Sequence, residues 1–310
     1  MALFLKRSIL FIVYSFLFYA SFVFLWTVFV PGDVPINVKY KIGTYGHMNS
    51  RIKDLATVEN VDVLFLGSSH AYRGFDPRIF SRFGIKSFNL GSSSQTPIQT
   101  EILIERYLRS LNPKLVILEV FPTVLTIDGV ESAIDLVTND KNDLMSLKMA
   151  FGLQNILVFN TLIHATIIDL LGWDDYYTEP VQRGKDRYIK GGYVEKHASA
   201  SMINDTYPST TREYLKIQEK VLERIINKLK KLNIDTIIVQ APITRAYYDS
   251  FSDNSEIDSS LRSLADYYNF NDILELPTSR YFYDSHHLNQ DGVEIFNRTL
   301  IDILKDNNYL

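Results

Sequence analysis

The chain has 310 residues with 46% hydrophobic and 13% aromatic content, enough for a membrane segment plus a large packed domain, which excludes global disorder. A formal net charge of −4 excludes a broad nucleic-acid footprint. There are no cysteines, so disulfides, thiol nucleophiles and cysteine-based zinc or iron–sulfur sites are excluded.

From Ser8 to Val30 the chain carries no charge, and Lys6 and Arg7 precede the run. Roughly 20 apolar residues cross a bilayer as a helix, so residues 1–30 are expected to be a short cytoplasmic N-terminus and a transmembrane signal anchor. The positive-inside rule then exports the residues after Pro31, across a bacterial inner or plasma membrane. A cleaved signal peptide fits less well, because the run exceeds an ordinary h-region and no small-x-small site closes it. Residues 31–59, with Pro31-Gly32, Asp33, Pro35 and Gly43, read as a membrane-proximal connector, partly helical near Met48 to Ala56.

Residues 60–310 alternate strand and helix, the pattern of an α/β domain. Strands are expected at Val61–Leu66, Lys86–Gly91, Leu115–Val120, Thr236–Pro242 and Ile273–Leu276. Helices are expected at Thr100–Leu111, Thr211–Leu232, Ser259–Tyr268 and Val293–Leu304. Residues 124–209 interrupt the alternation as an insertion, apolar and helical through Leu171 and polar and loop-like from Trp173 to Ser209.

Two short motifs carry the chemistry. Gly67-Ser68-Ser69-His70 directly follows the first strand, where an open sheet binds its ligands. Asp284-Ser285-His286-His287 lies near the C-terminus, with the carboxylate and the second imidazole three residues apart and on one side of a turn. Such an Asp can orient a His that takes a proton from a serine hydroxyl. Imidazoles and a carboxylate can also ligate a metal, although no HExxH spacing accompanies them.

Together these motifs resemble the SGNH (GDSL-like) hydrolases, which implies a three-layer, flavodoxin-like α/β sandwich with a mainly parallel sheet behind the one membrane helix. The resemblance implies Ser69 as nucleophile, His287 as base and Asp284 as its partner. It matches Asn89-Leu90-Gly91 to the block after the second strand, where Gly91 N–H would face the oxyanion together with Ser69 N–H. Leu118-Glu119-Val120-Phe121-Pro122 stands where the family carries an oxyanion Asn, so that donor is missing. Membrane-anchored members such as the alginate O-acetyltransferases and the D-alanine transfer proteins of teichoic acid are similar in plan. That subset implies acyl transfer, most simply of acetyl, to an exported polysaccharide, with a membrane-bound O-acyltransferase as donor partner. A carbohydrate esterase with the same triad, and a non-catalytic glycan-binding or assembly protein on the same scaffold, are the alternatives. Serine acyl chemistry needs no cofactor, and neither cofactor nor metal is expected.

Other residues have two readings each. His70 contacts the acyl donor or acceptor, or bonds locally. Arg73 does the same, or pairs with Asp76. Glu119 orients Ser69 or a sugar hydroxyl, Gln95 and Thr96 line the pocket, and Trp173, Tyr176 and Tyr177 stack on sugars or pack in a core.

Overall fold

The computed structural model describes residues 1–30, 37–43, 46–197 and 203–310; Pro31, Gly32, Asp33 and Pro35 lie outside them. In chain order the elements are α1 (Ala2–Phe29), α2 (Met48–Leu55), β1 (Val63–Leu66), α3 (Ser69–Gly74), α4 (Pro77–Arg82), β2 (Ser87–Asn89), α5 (Pro97–Leu111) and β3 (Leu115–Glu119). Next come α6 (Val130–Asn139), α7 (Leu144–Leu153), α8 (Ile156–Leu171), β4 (Gln182–Arg183), β5 (Asp186–Ile189) and β6 (Tyr193–Lys196). The chain closes with α9 (Lys216–Lys231), β7 (Asp235–Gln240), α10 (Arg245–Asp249), α11 (Asn254–Leu264), β8 (Asp266–Asn269), α12 (Phe270–Ile273), α13 (Thr278–Tyr281) and α14 (Gln290–Asp306). It divides into two compact units, residues 1–42 with 133–178 and residues 43–132 with 179–310.

The second unit is built on a five-stranded sheet of order β2-β1-β3-β7-β8, parallel throughout. Parallel strands need crossover connections, and α5 and α9 are among those that supply them. Val63, Phe65, Leu115, Ile117, Ile237 and Val239 pack with Phe75, Phe80, Phe296 and Leu300 in one core. The alternate residues Leu64, Leu66, Val116, Leu118 and Ile238 are just as buried on the opposite face. Burial on both faces is why β1 and β3 read as continuous apolar runs rather than alternating ones.

The sheet corrects two expectations near its edge. The predicted helix Ser259–Tyr268 ends at Leu264, and Asp266–Asn269 is instead the edge strand β8, with Tyr267 and Tyr268 paired to Ile238 and Val239. The strand expected at Ile273–Leu276 is absent, because Asn269 accepts from Asn271 N–H and starts the single turn of α12. A third correction falls in the polar stretch after Trp173. Gln182 to Lys196 forms the antiparallel sheet β4-β5-β6, turned at Gly184 and Gly191, both at positive φ.

The first unit holds α1, α7 and α8. Tyr19 Oη donates to Asn160 Oδ1 at 2.7 Å, and Phe24 lies against His164 and Trp173 with ring centroids 5.7 and 5.6 Å away. α1 is the one helix among the described residues long and apolar enough to span a membrane.

Candidate active site

The nucleophile candidate stands where β1 stops. Gly67 adopts φ +146°, and a Cβ there would lie 2.6 Å from the Glu119 carbonyl oxygen on neighbouring β3, so only glycine lets the chain turn this tightly. Ser68 is the N-cap of α3 and Ser69 its first residue. The adjacent serines have opposite surroundings. Ser68 is buried, and both its N–H (3.0 Å) and its hydroxyl (2.9 Å) donate to Glu119 Oε2. Ser69 turns outward, and its Oγ lies 2.9 Å from His287 Nε2.

His287 is held by its own loop. Asp284 Oδ1 accepts from the His286 and His287 backbone N–H groups at 3.0 and 2.8 Å, closing a tight Asx turn. His287 Nδ1 then meets Asp284 Oδ2 at 2.9 Å. Thr244, just beyond β7, pins the loop by donating N–H and Oγ–H to the Ser285 carbonyl at 3.0 and 2.8 Å. A carboxylate only accepts, so the His287 proton sits on Nδ1 and the Nε2 lone pair faces the Ser69 hydroxyl.

Electrostatics suit proton transfer. Burial lowers the His287 pKa, opposed by the hydrogen bond to Asp284, so the imidazole is neutral at pH 7. Burial alone would raise the Asp284 carboxyl, but the bond from His287, that neighbour's charge and the His286 N–H hold it below the usual carboxylate range. Burial and the neighbouring His287 lower His286 to about 4. Burial lowers His70 well below its ordinary value too, so the imidazoles here are neutral bases.

His70 stacks on His287 at 4.9 Å, and His286 lies 4.0 Å from His287, ring centroid to ring centroid. Because Ser68 Oγ donates to Glu119, it accepts from His70 Nδ1 at 3.2 Å, which leaves the His70 lone pair on Nε2. The His286 carbonyl favours protonation of the His70 ring, yet Nε2 is buried without a partner in hydrogen-bond geometry. His70, His286 and His287 place one ring nitrogen each within 4.8 Å of one another, the histidine group among the described residues that could hold a metal ion. Both nitrogens of His287 are already engaged, so a metal there would displace Ser69 or Asp284.

Several sequence-based assignments change. Gly91 N–H, expected at the oxyanion, donates instead to Asn89 Oδ1 at 3.1 Å. Asn89 is fully buried, with its amide bonded to the Ala71 and Phe75 carbonyls at 2.7 and 3.0 Å, and so braces the nucleophile turn rather than binding substrate. Gly91 is needed for packing, since a Cβ would stand 2.8 Å from Ala71 Cβ. Arg73 pairs with Asp186 through two bonds of 3.0 and 2.8 Å, while Asp76 pairs with Arg78. Glu119 serves Ser68 and not Ser69, and burial raises its carboxyl to about 7. Gln95 bonds Ser92 and Thr100, and Thr96 caps α5, so both are structural. The Ser68–Glu119 bond went unforeseen; its signal is a carboxylate ending the apolar strand Leu115–Glu119 one strand away from the serine turn.

No family model matches the chain, and no curated protein matches it. Among solved structures it is similar to a GDSL-like lipase from Bacteroides thetaiotaomicron, at 12% identity and TM-score 0.42, covering 84% of this chain and 98% of that one. It is also similar to a family 3 carbohydrate esterase from Clostridium thermocellum, at 12% identity and TM-score 0.38, covering 80% of this chain and 98% of that one.

Proposed function

We propose that the protein is a membrane-anchored serine acyl-transfer enzyme of the SGNH type, acting on ester-linked acyl groups of an exported glycan. The observation that carries the reading is the continuous contact Ser69 Oγ, His287 Nε2, His287 Nδ1, Asp284 Oδ2, at 2.9 Å for each polar step. His287 Nε2 takes the Ser69 proton as Oγ attacks the acyl carbonyl, and Asp284 stabilises the imidazolium that forms. As the tetrahedral intermediate collapses, the imidazolium returns the proton to the leaving oxygen. The acyl-serine is then resolved by a sugar hydroxyl (transfer) or by water (hydrolysis), with His287 acting as base again.

Ser69 N–H is the oxyanion donor that stays uncommitted, since Gly91 N–H is engaged and no Asn ends β3. A missing donor costs on the order of 3 kcal/mol of transition-state stabilisation, which favours transfer from an activated acyl donor over hydrolysis of unactivated esters. α1 anchors the enzyme, exports residues after about 31 and sets it beside a membrane-bound acyl donor.

The test is intact-mass spectrometry of the detergent-solubilised full chain with p-nitrophenyl acetate, with and without excess oligosaccharide. A 42 Da adduct, expected for one acetyl group, should appear on wild type, vanish in Ser69→Ala and pass to sugar faster than to water. Passage to water alone would leave an esterase. No adduct on wild type, with Ser69→Ala indistinguishable from it, would refute the enzyme reading.

A further inference from the structure

We infer that the α7–α8 hairpin dips its tip into the hydrocarbon core of the membrane that α1 crosses, to about the depth of its midplane, so that lipid covers Phe151 and Ile156. This rests on the anchor reading above. Within its unit α8 runs beside α1 and in the same direction, with Asn160 bonded to Tyr19 and His164 against Phe24. Tyr19 lies midway along the uncharged stretch from Ser8 to Val30, with about 16 Å of helix on either side of it. α8 starts at Ile156, before Asn160, so its first turn and the joint at Gln154 and Asn155 lie about 6 Å closer to the cytoplasmic end than Tyr19. To keep that tip in water, the part of α1 below Tyr19 would have to cross the ~30 Å core alone, drawing Lys6 and Arg7 into hydrocarbon.

The side chains that the hairpin presents fit lipid. Leu144, Leu147, Phe151, Ile156 and Leu170 are exposed large apolar side chains. Two backbone groups at the tip are paired, as lipid favours: Gln154 N–H donates to the Ala150 carbonyl at 3.0 Å and Leu157 N–H to Asn155 Oδ1 at 2.9 Å. Lys148 lies midway along α7, between the tip and the open end of the hairpin, and can snorkel toward the headgroups. At that open end Asn142 Nδ2 donates to Asp169 Oδ2 at 3.0 Å, and exposed Trp173 and Tyr176 are residues that favour the interface. One side of α8 is different: Lys39 N–H donates to Thr161 Oγ1, and Lys39 and Lys41 are exposed. Thr161 follows Asn160 by one residue, so those cations stand near the depth of Tyr19 and reach the exported headgroups by snorkelling.

The absence of native cysteines makes the test direct. Single cysteines replace Phe151, Ile156, Phe16 on α1 and Val181 in the other unit, which are 62%, 52%, 57% and 58% exposed, so exposure alone cannot separate them. Each full-length variant is labelled with bimane, reconstituted in phosphatidylcholine–phosphatidylglycerol vesicles and quenched with acyl-brominated lipid or with aqueous iodide. The expected result is that labels at 151 and 156 behave like the label at 16, with lipid quenching at least half as strong and little iodide quenching, while 181 shows the reverse. Labels at 151 and 156 that behave like 181 overturn the inference and leave the anchor standing. Shielding from both quenchers overturns it in favour of a protein partner on the hairpin. A label at 16 that is itself open to iodide and not to brominated lipid removes the anchor, and the inference with it.

Discussion

The two units of this chain handle apolar side chains in opposite ways. In residues 43–132 and 179–310 the strands and helices turn them inward, and six large ones (Val181, Leu215, Ile217, Leu232, Ile273 and Leu310) are left more than a third exposed. In the much shorter segment 133–178 eight are exposed, and α1 adds a further set along its length. The first pattern is that of a domain folded in water, with a serine, an imidazole and a carboxylate in contact beyond the carboxyl ends of its strands. The second is that of a surface built to be covered, and lipid is the cover inferred above. Hydrophobicity therefore means burial in one unit and exposure in the other.

The largest expected effect separates the two. His287→Ala should lower kcat/KM for p-nitrophenyl acetate by about 10⁴–10⁶-fold without changing the far-UV circular dichroism. Phe151→Ser, at the hairpin tip, should change it by less than about threefold. Equal losses would mean that the hairpin belongs to the catalytic machinery and that the division between the units is false.

Glycines sharpen the contrast next. Gly67→Ala places a Cβ 2.6 Å from the Glu119 carbonyl at φ +146°, so a loss of at least ~3 kcal/mol is expected in urea unfolding. Gly152, in α7, has open space where its Cβ would be, so Gly152→Ala should be neutral or gain up to ~1 kcal/mol of helix propensity. A destabilised Gly152→Ala would show that something packs against the hairpin there.

Glu119 gives a third, pH-dependent test. Burial raises its carboxyl from an ordinary 4.5 to about 7, so the folded protein keeps a proton that the unfolded chain has already released. Stability contributed by this group is therefore lost as pH rises from about 4.5 to about 7, by at most ~3 kcal/mol. In Glu119→Gln that share of the pH dependence should vanish, measured as the difference from wild type in urea midpoint at pH 5 and pH 8. An unchanged difference would show that Glu119 is ionised in the folded protein.

These tests reach both legible and illegible parts of the sequence. β1, β3 and β7 could be read because double-sided burial writes itself as Val-Leu-Phe-Leu or Leu-Val-Ile-Leu. The contact of Ser69, His287 and Asp284 could be read because Ser69 follows a strand, and Asp284 and His287 are three residues apart, so each half is local. The roles of Gly91, Glu119 and Arg73 could not, since each depends on which partner a group finds in three dimensions. Asp186 lies 113 residues from Arg73, and Glu119 lies 51 from Ser68. β4, β5 and β6 were hidden because strands of two to four residues between glycines leave too little alternation to count. The apolar run of α7 and α8 was visible, but periodicity cannot say whether such a run faces protein or lipid.

The smallest effect bears on that last point. Tyr19 and Asn160 share one hydrogen bond between two apolar helices, and interhelical side-chain bonds within membranes contribute about 0.6 kcal/mol on average and no more than about 1.7. The reason is that helices separated in lipid find other polar partners, so little is lost when the bond breaks. A double-mutant cycle of Tyr19→Phe and Asn160→Leu, read by steric trapping in bilayers, should give a coupling of that size. Tyr267, in the other unit, is the counterpart: its hydroxyl lies 2.7 Å from the Gln240 side-chain amide and 2.8 Å from Asp258 Oδ1, and donates its one proton to the carboxylate. Tyr267→Phe takes that partner from half-buried Asp258 and from buried Gln240 and should cost ~1–3 kcal/mol. If the Tyr19–Asn160 coupling equals or exceeds that cost, the bond is broken into a medium without alternative partners, and α1 and α8 meet inside a protein core rather than in lipid.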